Sequence, residues 1–391
     1  MKITLLTGGD DPNYAFPLAT SLISKDIDID FIGNDTMQDP VITSKPQINY
    51  LNFRGDQSEE AKLKDKIKRI LVYYWKLIKY SVSTDSKIFH ILWLNKFVYL
   101  DRTLLNLYYK LIGKKLVFTA HNINDRARDG RDNILNKFTL KFLYFIVDAI
   151  IVHTSKMKQE LLENFNVDQK KVTIVPFGLN FYILKSELSC LGAKDKLKLP
   201  KACKTLLFFG RIVPYKGLDL LVFALKELKK DIDYDLKLII AGKVDRSADQ
   251  YWENTQKIIE EHNLSHMIFA RTEFIPDNEI EIYFKAADVL ILPYKYIYQS
   301  GPLFIAYYFG LPVIATDVGS FKDNIVDGET GLINQPDNPL DLSNKISDYF
   351  KSDMYHDLDS TRQKIMEYAR KKYSWEENSK VIHDIYLNLS S

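Results

Sequence analysis

Residues 287–319, with the sequence ADVLILPYKYIYQSGPLFIAYYFGLPVIATDVG, decide the fold of this chain. The apolar run at residues 289–292 predicts a buried strand, and residues 312–315 predict a second one. Between the two strands lie a loop that ends at residues 299–301 and a helix that opens on Pro302. A strand, a glycine-containing loop, a helix and a further strand in this order are typical of a parallel α/β sheet.

The ends of this predicted helix favour an anion-binding site. Ser300 can cap the helix, proline suits its first position, and Gly310 permits the left-handed turn that ends it. Backbone N–H groups and the positive end of the helix dipole then face the carboxyl edge of the sheet. A diphosphate is the usual ligand at such a position, so the pattern predicts nucleotide binding.

Composition limits the size and class of the protein. The chain has 391 residues, of which 46% are hydrophobic, and this is enough for two domains that each bury a core. Lys and Arg number 53 and Asp and Glu number 51, a net charge of +2 that gives no reason to expect a nucleic-acid partner. Cys190 and Cys203 provide neither a disulfide framework nor metal-ligand spacing, which favours a reducing compartment, the cytoplasm.

Targeting and membrane-spanning segments are not predicted. The N-terminal sequence MKITLLTGGDD has one lysine and a very short apolar run, too little for a signal peptide. No run approaches the roughly 20 apolar residues of a membrane span. We therefore expect a soluble or peripheral protein.

Short apolar runs alternate with helical patterns along the chain, which predicts parallel sheets with helices on both faces. Residues 1–182 form a first Rossmann-like domain, residues 183–203 a polar, lysine-rich linker, and residues 204–372 a second Rossmann-like domain. Residues 373–391 contain apolar side chains at helical spacing and predict a last helix that docks on a core. The predicted strands are KITLLTG, IDIDFIG, KIFHILW, KLVFTAH, AIIVHTS and VTIVPFG in the first half and TLLFFG, LKLIIAG, MIFA, DVLILPY and PVIATD in the second.

Two basic residues occupy a turn in the second domain. In the segment LLFFGRIVPYKGLDLL, Gly210 follows a predicted strand and Gly217 opens a helix. Arg211 and Lys216 lie between these glycines, where two fixed cations would hold a diphosphate and stabilise it as a leaving group. Solvated loop cations are the plainer alternative, but the neighbouring loop at residues 299–301 favours the diphosphate.

Taken together, these segments resemble the donor-binding domain of glycosyltransferase family 4, retaining enzymes of the GT-B fold. The resemblance covers residues 204–335 through GRIVPYKG, IIAG, FIPDNEIEIYFKAADVLILP, GLPVIATDVGS and VDGETGLI. The first half fits more loosely, through FHILW, FTAHNIN and VPFG. The resemblance implies two Rossmann-like domains that face each other across a cleft, a final helix that crosses back to the first domain, a UDP- or GDP-linked sugar as donor, and no cofactor or catalytic metal.

The resemblance also implies roles for individual residues. Arg211 and Lys216 would bind the donor phosphates, and His121, at the end of the KLVFT strand, would contact the donor sugar. The remaining donor-binding positions are Gly210, Gln299, Ser300 and Gly301 around the diphosphate and the backbone at Phe274, Ile275 and Pro276 at the base, while Gly8, Gly9 and Asn122 are assigned to the acceptor side.

One feature of the family is missing. The family usually has two glutamates eight positions apart, one near the donor sugar and one on the ribose, and these positions fall on Ile297 and Ile305. An isoleucine cannot accept a hydroxyl hydrogen bond. Branches with a similar Gln-Ser-Gly loop also lack the pair, so we take Gln299 and Ser300 as substitutes. The chain also has Phe177 where histidine or asparagine is commoner.

Several suggestive residues have a plainer interpretation. Asp26, Asp28 and Asp30 imitate the metal-binding acidic triplet of the other major glycosyltransferase fold, but apolar residues alternate with them. We interpret them as the wet face of a half-buried strand. His90 and His153 lie in strand patterns and are interpreted as satisfied core histidines. No GxGxxG motif occurs, which argues against a nicotinamide enzyme.

Residues 61–82, AKLKDKIKRILVYYWKLIKYSV, predict a basic amphipathic helix. Two interpretations stay open. The helix can lie in an anionic membrane interface, or it can pack its apolar stripe inward as a surface helix of the first domain. The first interpretation would suit a lipid-linked acceptor.

The sequence thus predicts a glycosyltransferase that moves a sugar from a nucleotide sugar to a glycan or lipid-linked glycan, in surface polysaccharide synthesis. We expect a cytoplasmic location, with a peripheral position on the inner face of the cell membrane left open. Because the paired glutamates are missing, two alternatives remain: a non-catalytic nucleotide-sugar-binding partner subunit, and a sugar-nucleotide epimerase of the same fold.

Overall fold

A computed structural model describes residues 1–8, 11–58, 62–124, 126, 132–179 and 186–390 of the chain. It divides into two compact units, which are described separately. The first unit comprises residues 1–178 and 373–391, and the second comprises residues 179–372. The predicted boundary at residues 182–183, Gly9 and the first residue of the predicted basic helix lie outside the described residues.

The first unit contains one seven-stranded sheet in which every pairing is parallel. Its strands are β1 (Lys2–Leu6), β2 (Asp28–Gly33), β3 (Ile48–Asn52), β4 (Ile88–Ile91), β5 (Lys115–Thr119), β6 (Ala149–Val152) and β7 (Val172–Ile174), in the spatial order β3-β2-β1-β4-β5-β6-β7. Its helices are α1 (Pro12–Ile23), α2 (Pro40–Thr43), α3 (Leu63–Ser83), α4 (Val98–Leu100), α5 (Asn106–Leu111), α6 (Ile134–Ile146) and α7 (Ser155–Phe165), with a π-helical segment at Asp101–Leu105.

The second unit contains a six-stranded sheet that is also parallel throughout. Its strands are β8 (Lys204–Phe209), β9 (Leu236–Ala241), β10 (Ile268–Arg271), β11 (Val289–Leu292), β12 (Val313–Thr316) and β13 (Gly331–Asn334), in the order β10-β9-β8-β11-β12-β13. Its helices are α8 (Cys190–Lys196), α9 (Leu218–Leu228), α10 (Asp249–Glu261), α11 (Asp277–Ala286), α12 (Gly301–Tyr308), α13 (Phe321–Asn324), α14 (Pro339–Lys351), α15 (Asp353–His356) and α16 (Leu358–Lys372).

The last helix of the chain, α17 (Trp375–Ser390), completes the core of the first unit. Ile382 and Tyr386 on its inner face are fully buried beside strand residues such as Ile88. The Tyr386 hydroxyl lies 2.6 Å from Nδ1 of His90, and Nε2 of His90 lies 2.7 Å from the Thr119 hydroxyl. His90 is therefore a satisfied core histidine, as predicted, and it attaches the last helix to the sheet.

Both sheets reverse their order at one point. In the first sheet the reversal falls between β1 and β4, and in the second it falls between β8 and β11. Loops that leave adjacent strands at such a point diverge, so ligands of open α/β sheets bind in the crevice outside the carboxyl ends of these strands. The loops after β1, β4, β8 and β11 are therefore the first places to look for a site.

The predicted linker at residues 183–203 is wrong from residue 186 onward, because that part of the chain packs within the second unit. Helix α8 begins at a cap in which the Ser189 hydroxyl accepts a hydrogen bond from the backbone N–H of Gly192. Lys194 is buried on this helix, and its ammonium donates to the carbonyl of Cys203 at 2.7 Å. A lysine can bury its aliphatic stem when its ammonium has a hydrogen-bond partner. A polar, lysine-rich segment can therefore pack within a folded unit, and its composition alone does not reveal this.

Two further expectations need correction. Asp30 is 1% exposed rather than on a wet face, and its carboxylate accepts hydrogen bonds from Tyr80 at 2.6 Å and Asn49 at 2.8 Å. Strands β3 and β13 were not predicted. Each lies at the edge of its sheet and carries half-exposed side chains, so neither shows the continuous apolar run of a strand covered on both faces.

Candidate functional site

The candidate donor site begins at the end of β8, where the backbone turns sharply. Gly210 has a φ of +107°, and Gly242 after β9 has a φ of +144°. A Cβ atom on Gly242 would lie 2.2 Å from the carbonyl oxygen of Gly210. The two loops are therefore in backbone contact, and a side chain at residue 242 would separate them.

The turn Pro214–Lys216 continues from β8 and ends at Gly217, which has a φ of +67°. A Cβ atom on Gly217 would lie 1.9 Å from the carbonyl oxygen of Pro293, so this turn rests directly on the end of β11. The glycine brings together the loops after β8 and β11, the two strands that flank the reversal of the sheet.

Lys216 extends from this turn toward the first turn of α12. A Cβ atom on Gly210 would lie 2.5 Å from Nζ of Lys216 and 3.8 Å from Cγ of Pro302. The ammonium also lies 5.4 Å from the ring centroid of Tyr294, a favourable cation–π distance. The side chain is therefore held between the glycine turn, an aromatic ring and the start of a helix.

The side chain of Lys216 is buried, and none of the described residues supplies a counter-ion for its ammonium. The residue is 8% exposed, and its ammonium makes no hydrogen bond or ion pair with any residue that the structure describes. Burial, with a smaller contribution from the charge of Arg211, lowers the pKa of Lys216 to about 7. Burying a charge without a partner costs free energy. This position therefore favours the binding of an anion that the described residues do not supply.

Arg211 behaves differently from Lys216. Its side chain is 64% exposed, and its guanidinium lies 3.4 Å from the carboxylate of Asp245. The expectation of two fixed cations is therefore wrong for Arg211, because an exposed pair at this distance holds the side chain only weakly. One cation is fixed by packing, and the other is tethered at the rim.

Helix α12 begins at Gly301 with room above it. A Cβ atom on Gly301 would meet nothing within 4 Å, and its φ is outside the left-handed region. The fold therefore does not require glycine at residue 301. The backbone N–H groups of Ser300 and Gly301 donate no hydrogen bond to another described residue, so this helix start keeps free donors.

The predicted cap by Ser300 is wrong. Its side chain makes no capping hydrogen bond, and its hydroxyl is buried without a partner of ordinary hydrogen-bond length. The buried hydroxyl of Tyr294 likewise has no hydrogen-bond partner of ordinary length among the described residues. Burial raises the pKa of Tyr294, and the nearby Ser300 side chain offsets part of this rise. Gly310 does end the helix in the left-handed region, at a φ of +68°, as predicted.

The other predicted donor positions lie on nearby loops of the second unit. Phe274 is 70% exposed, Ile275 is buried, and Pro276 precedes the first residue of α11. Ile297 is buried, and a Cβ atom on Gly319 would lie 2.1 Å from its carbonyl oxygen. Gln299 and Ile305 are partly exposed. Ile297 therefore belongs to the packing between its own loop and the turn that follows β12.

In the first unit, His121 follows β5 in an aromatic cluster. Its ring stacks on Trp93 with centroids 4.3 Å apart and planes within 6°. Tyr14 contacts the same ring edge-on at 4.7 Å, and Phe177 packs on Tyr14 at 5.4 Å. Asn122 is exposed, and Gly8, with a φ of +47°, follows β1.

Hydrogen bonds determine which nitrogen of His121 carries the proton. Nδ1 of His153 lies 2.9 Å from the carbonyl oxygen of Val175, which can only accept, so His153 donates through Nδ1. Its Nε2 is then an acceptor, and Nδ1 of His121, 3.1 Å away, must donate to it. Nε2 of His121 is left as a buried acceptor without a partner.

Both histidines are neutral near pH 7. Burial lowers the pKa of His153 to about 4 and holds the pKa of His121 well below its usual range, with a smaller contribution from His153. His121 can therefore accept a hydrogen bond from a hydroxyl group but cannot act as an acid near neutral pH. His153 was predicted to be only a satisfied core histidine, yet it fixes the tautomer of His121. Both histidines lie at the carboxyl ends of strands that the sequence predicts, and the fold makes these strands, β5 and β6, neighbours in the sheet.

Two family models match successive parts of the chain. The model described as Glycosyltransferase Family 4 matches residues 13–181, and the model described as Glycosyl transferases group 1 matches residues 193–372. The chain belongs to the family 4, group 1 glycosyltransferases. The loops after β8 and β11 lie within the group 1 match, and His121 lies within the family 4 match.

Curated relatives of this family 4 chain are distant. An uncharacterized glycosyltransferase of Methanocaldococcus jannaschii is 28% identical over 272 residues, covering 67% of each chain. A D-inositol 3-phosphate glycosyltransferase of Corynebacterium diphtheriae is 24% identical over 288 residues, covering 69% of this chain and 64% of the relative. The chain thus matches about two thirds of the length of these relatives.

Solved structures show that this family 4 chain has the GT-B fold. Sucrose-phosphate synthase from Thermosynechococcus elongatus superimposes with a TM-score of 0.77 at 18% identity, covering 100% of this chain and 99% of that one. The Anabaena protein HepE in complex with UDP-glucose superimposes with a TM-score of 0.74 at 13% identity, covering 99% and 100%. At these identities the likeness concerns the fold alone.

The described part of this glycosyltransferase contains neither a membrane-spanning helix nor a metal-ligand cluster. No helix there is long and apolar enough to cross a membrane. Within the same residues, no group of three or more His, Cys, Asp or Glu side chains is placed to hold a metal ion.

Proposed function

We propose that this chain transfers a sugar from a UDP- or GDP-linked donor to a glycan or lipid-linked glycan acceptor. The observation that carries the proposal is the buried, unpaired ammonium of Lys216 beside the free backbone N–H groups at the start of α12. A diphosphate would satisfy both, because it brings two negative phosphates to one cation and one helix start. The UDP and UDP-glucose complexes of HepE support this choice of ligand class.

The proposed mechanism uses these residues as a clamp for the leaving group. As the bond between the anomeric carbon and the diphosphate oxygen breaks, negative charge builds on the diphosphate. Lys216, Arg211 and the N–H groups of Ser300 and Gly301 stabilise that charge. The acceptor hydroxyl then bonds to the anomeric carbon on the face that the diphosphate leaves, and its proton passes to the leaving phosphate. Retention of configuration is carried over from the family resemblance.

His121 takes a hydrogen-bonding role in this proposal. Its Nε2 is a neutral acceptor without a donor, and a hydroxyl of the donor sugar would supply one. Stacking on Trp93 and the hydrogen bond to His153 hold the imidazole in a single orientation. This role positions the sugar and requires no proton transfer.

We propose that the transfer needs no metal ion. Lys216 and Arg211 already supply positive charge at the diphosphate, which is the task of a divalent cation in metal-dependent transferases. Transfer should therefore proceed in EDTA. Activity that is lost in EDTA and returns with Mg²⁺ or Mn²⁺ would contradict this point.

The experiment that tests the donor assignment is a thermal-shift panel with UDP, GDP, ADP and their sugars. A ligand that binds the folded chain raises its melting temperature by an amount set by its concentration relative to Kd. At least one nucleotide diphosphate should stabilise the wild type, and Lys216→Met should lose the shift. Lys201→Met, which changes an exposed lysine of the same unit, is the matched control and should keep it.

Turnover assays with the stabilising donor separate the remaining functions. Transfer to an added glycan or lipid-linked glycan supports the proposal. Binding without turnover in any acceptor mixture would favour the partner subunit, and conversion of the donor to an altered sugar without acceptor would favour the epimerase. No nucleotide binding at all would remove the proposal.

We further propose that the acceptor is reached at a membrane surface, on the cytoplasmic face. Helix α3 buries Tyr73, Tyr74 and Leu77, so it packs inward as one interpretation required. A second apolar stripe nevertheless remains exposed, including Leu71 at 62% and Trp75 at 60%. The other exposed apolar residues on this helix are Ile67, Val72, Ile78 and Val82.

A neighbouring helix extends this exposed stripe. Tyr108 on α5 donates to the carbonyl of Ile78 on α3, and Leu111 at the end of α5 is 77% exposed. Lys68 and Lys79 flank the stripe on α3. Apolar side chains flanked by lysines suit the headgroup boundary of an anionic membrane, which supports a lipid-linked acceptor and a part in surface polysaccharide synthesis.

A further inference from the structure

A second site lies in the first unit, at the point where the order of its sheet reverses. A cavity of about 100 Å³ opens between the first half of α3 and the loops that follow β3 and β4. Its lining includes Arg54, Lys66, Arg69, Tyr73, Asn95 and Lys96. None of these residues was singled out as a ligand-binding residue by the sequence, because they come from three segments that only the fold brings together.

Basic side chains predominate in the described lining of the cavity. Four of its lining residues are Lys or Arg, and none of the described lining residues is Asp or Glu. Asp56 lies 3.6 Å from Arg69 but is itself largely exposed. Asp101 is buried and accepts a hydrogen bond from Asn95, and the charge of Arg54 offsets part of the rise that burial causes in the pKa of Asp101. Several basic side chains around one cavity favour an anion as its ligand.

Arg54 is held by a backbone carbonyl and an aromatic ring. Its Nη1 donates to the backbone carbonyl of Gly8, and its guanidinium lies 5.4 Å from the ring centroid of Tyr73. It makes no ion pair and no other hydrogen bond with the part of the chain that the structure describes. The planar guanidinium therefore keeps donors available in a fixed orientation, which suits a bidentate contact with a phosphate.

The floor of the cavity is ordered by a chain of hydrogen bonds. The Tyr73 hydroxyl donates to Asn95 at 2.5 Å, and the Asn95 amide donates to Asp101 at 3.2 Å. The Tyr74 hydroxyl donates to the same carboxylate at 2.8 Å. These bonds fix the α3 face of the cavity and the loop after β4 that carries Lys96, so the site exists before a ligand arrives.

The size and position of the cavity indicate its ligand. About 100 Å³ corresponds to roughly three water molecules, which is enough room for a phosphoryl group. The contact between Arg54 and Gly8 places it at the carboxyl ends of β1 and β4, where open α/β sheets bind ligands. We propose that this cavity binds a phosphate ester carried by the acceptor. The assignment of this ester to the acceptor rests on the proposed function, whereas the phosphate site itself does not.

Inorganic phosphate is the probe for the site. Calorimetric titrations are made in the full-length Lys216→Met chain, so that the donor clamp cannot contribute. We expect saturable phosphate binding that acetate at equal ionic strength does not reproduce. Adding Arg54→Gln should raise Kd at least tenfold, and adding Lys201→Gln, the matched control, should leave it unchanged.

Two results would overturn the proposal: no phosphate binding in the Lys216→Met chain, or the same Kd after Arg54→Gln. Should Arg54→Gln fail to fold, Lys96→Gln decides, because Lys96 is exposed and has no partner among the described residues. We expect this variant to raise Kd about threefold, and an unchanged Kd would overturn the proposal.

Vesicles distinguish the source of the phosphate. Phosphatidic acid carries a phosphate monoester, whereas phosphatidylserine at matched surface charge carries a diester. A preference for phosphatidic acid that Arg54→Gln removes would indicate a lipid-linked ester. Phosphate binding without that preference would indicate a water-soluble one. Nucleotide-sugar binding should be normal in Arg54→Gln with Lys216 intact, so this proposal and the proposed function can fail independently.

Discussion

Replacing Lys216 by methionine should stabilise the unliganded protein while removing its nucleotide binding. Burial lowers the pKa of Lys216 from 10.5 to about 7. At about 1.4 kcal/mol for each tenfold change in proton affinity, the charged form is disfavoured by roughly 5 kcal/mol in the folded chain. Methionine has a similar length, carries no charge and adapts to irregular packing. Allowing for relaxation around the new side chain, we expect a gain of about 3 kcal/mol in the free energy of unfolding at pH 6.

The gain should depend on pH in a defined direction. The unfolded chain keeps this lysine protonated up to its ordinary pKa of 10.5, whereas the folded chain releases the proton near pH 7. Below pH 7 both states hold the proton, and the folded state bears the full penalty of the buried charge. Between pH 7 and 10.5 the folded wild type holds a neutral amine, so its stability rises with pH and the advantage of methionine shrinks.

Differential scanning calorimetry at pH 6 and pH 9.5 measures this difference. For a unit of this size, about 3 kcal/mol corresponds to a rise of roughly 6–12 °C in melting temperature at pH 6. The rise should be clearly smaller at pH 9.5. Lys201→Met should change the melting temperature little at either pH, because its lysine is exposed. A Lys216→Met protein with no gain at pH 6, or with an equal gain at both pH values, would refute the reasoning.

Three further predictions concern other parts of the molecule. Gly301→Val should keep the unliganded melting temperature within about 1 °C, because a Cβ there meets nothing within 4 Å, yet thermal shifts by nucleotides should disappear; normal nucleotide binding would contradict the site at α12. His121→Phe should lower kcat/KM about tenfold through loss of one hydrogen bond. The loss should be equal from pH 5.5 to 7.5, since the pKa of His121 lies well below its usual range. A wild-type inflection near pH 6.5 that the variant lacks would instead indicate proton transfer by His121. Replacing Lys68 and Lys79 together with glutamine should weaken sedimentation with anionic vesicles at an unchanged melting temperature, with Lys170→Gln as a control, and wild-type protein that ignores such vesicles would rule out the membrane proposal.

Much of the fold could be predicted from the sequence, because strands that are buried in a parallel sheet appear as continuous apolar runs. The strand predicted at residues 289–292 is β11 with the same bounds, and the one at 312–315 differs from β12 by one residue. Gly310 marked the end of α12 because its left-handed φ would strain any other residue. Edge strands such as β13 escaped prediction, since half of their side chains face water and the apolar pattern fades.

The sequence by itself determined the two α/β halves and the glycine turns, which depend on local periodicity and backbone sterics. It also supplied the residue types of a diphosphate site. Only the tertiary structure decided that Lys216 is buried without a partner while Arg211 stays at the rim, because burial depends on what the loops after β8 and β11 place around each side chain. The basic cavity around Arg54 likewise cannot be predicted from the order of residues, because its charges are dispersed along three segments that only the fold brings to one edge of the sheet.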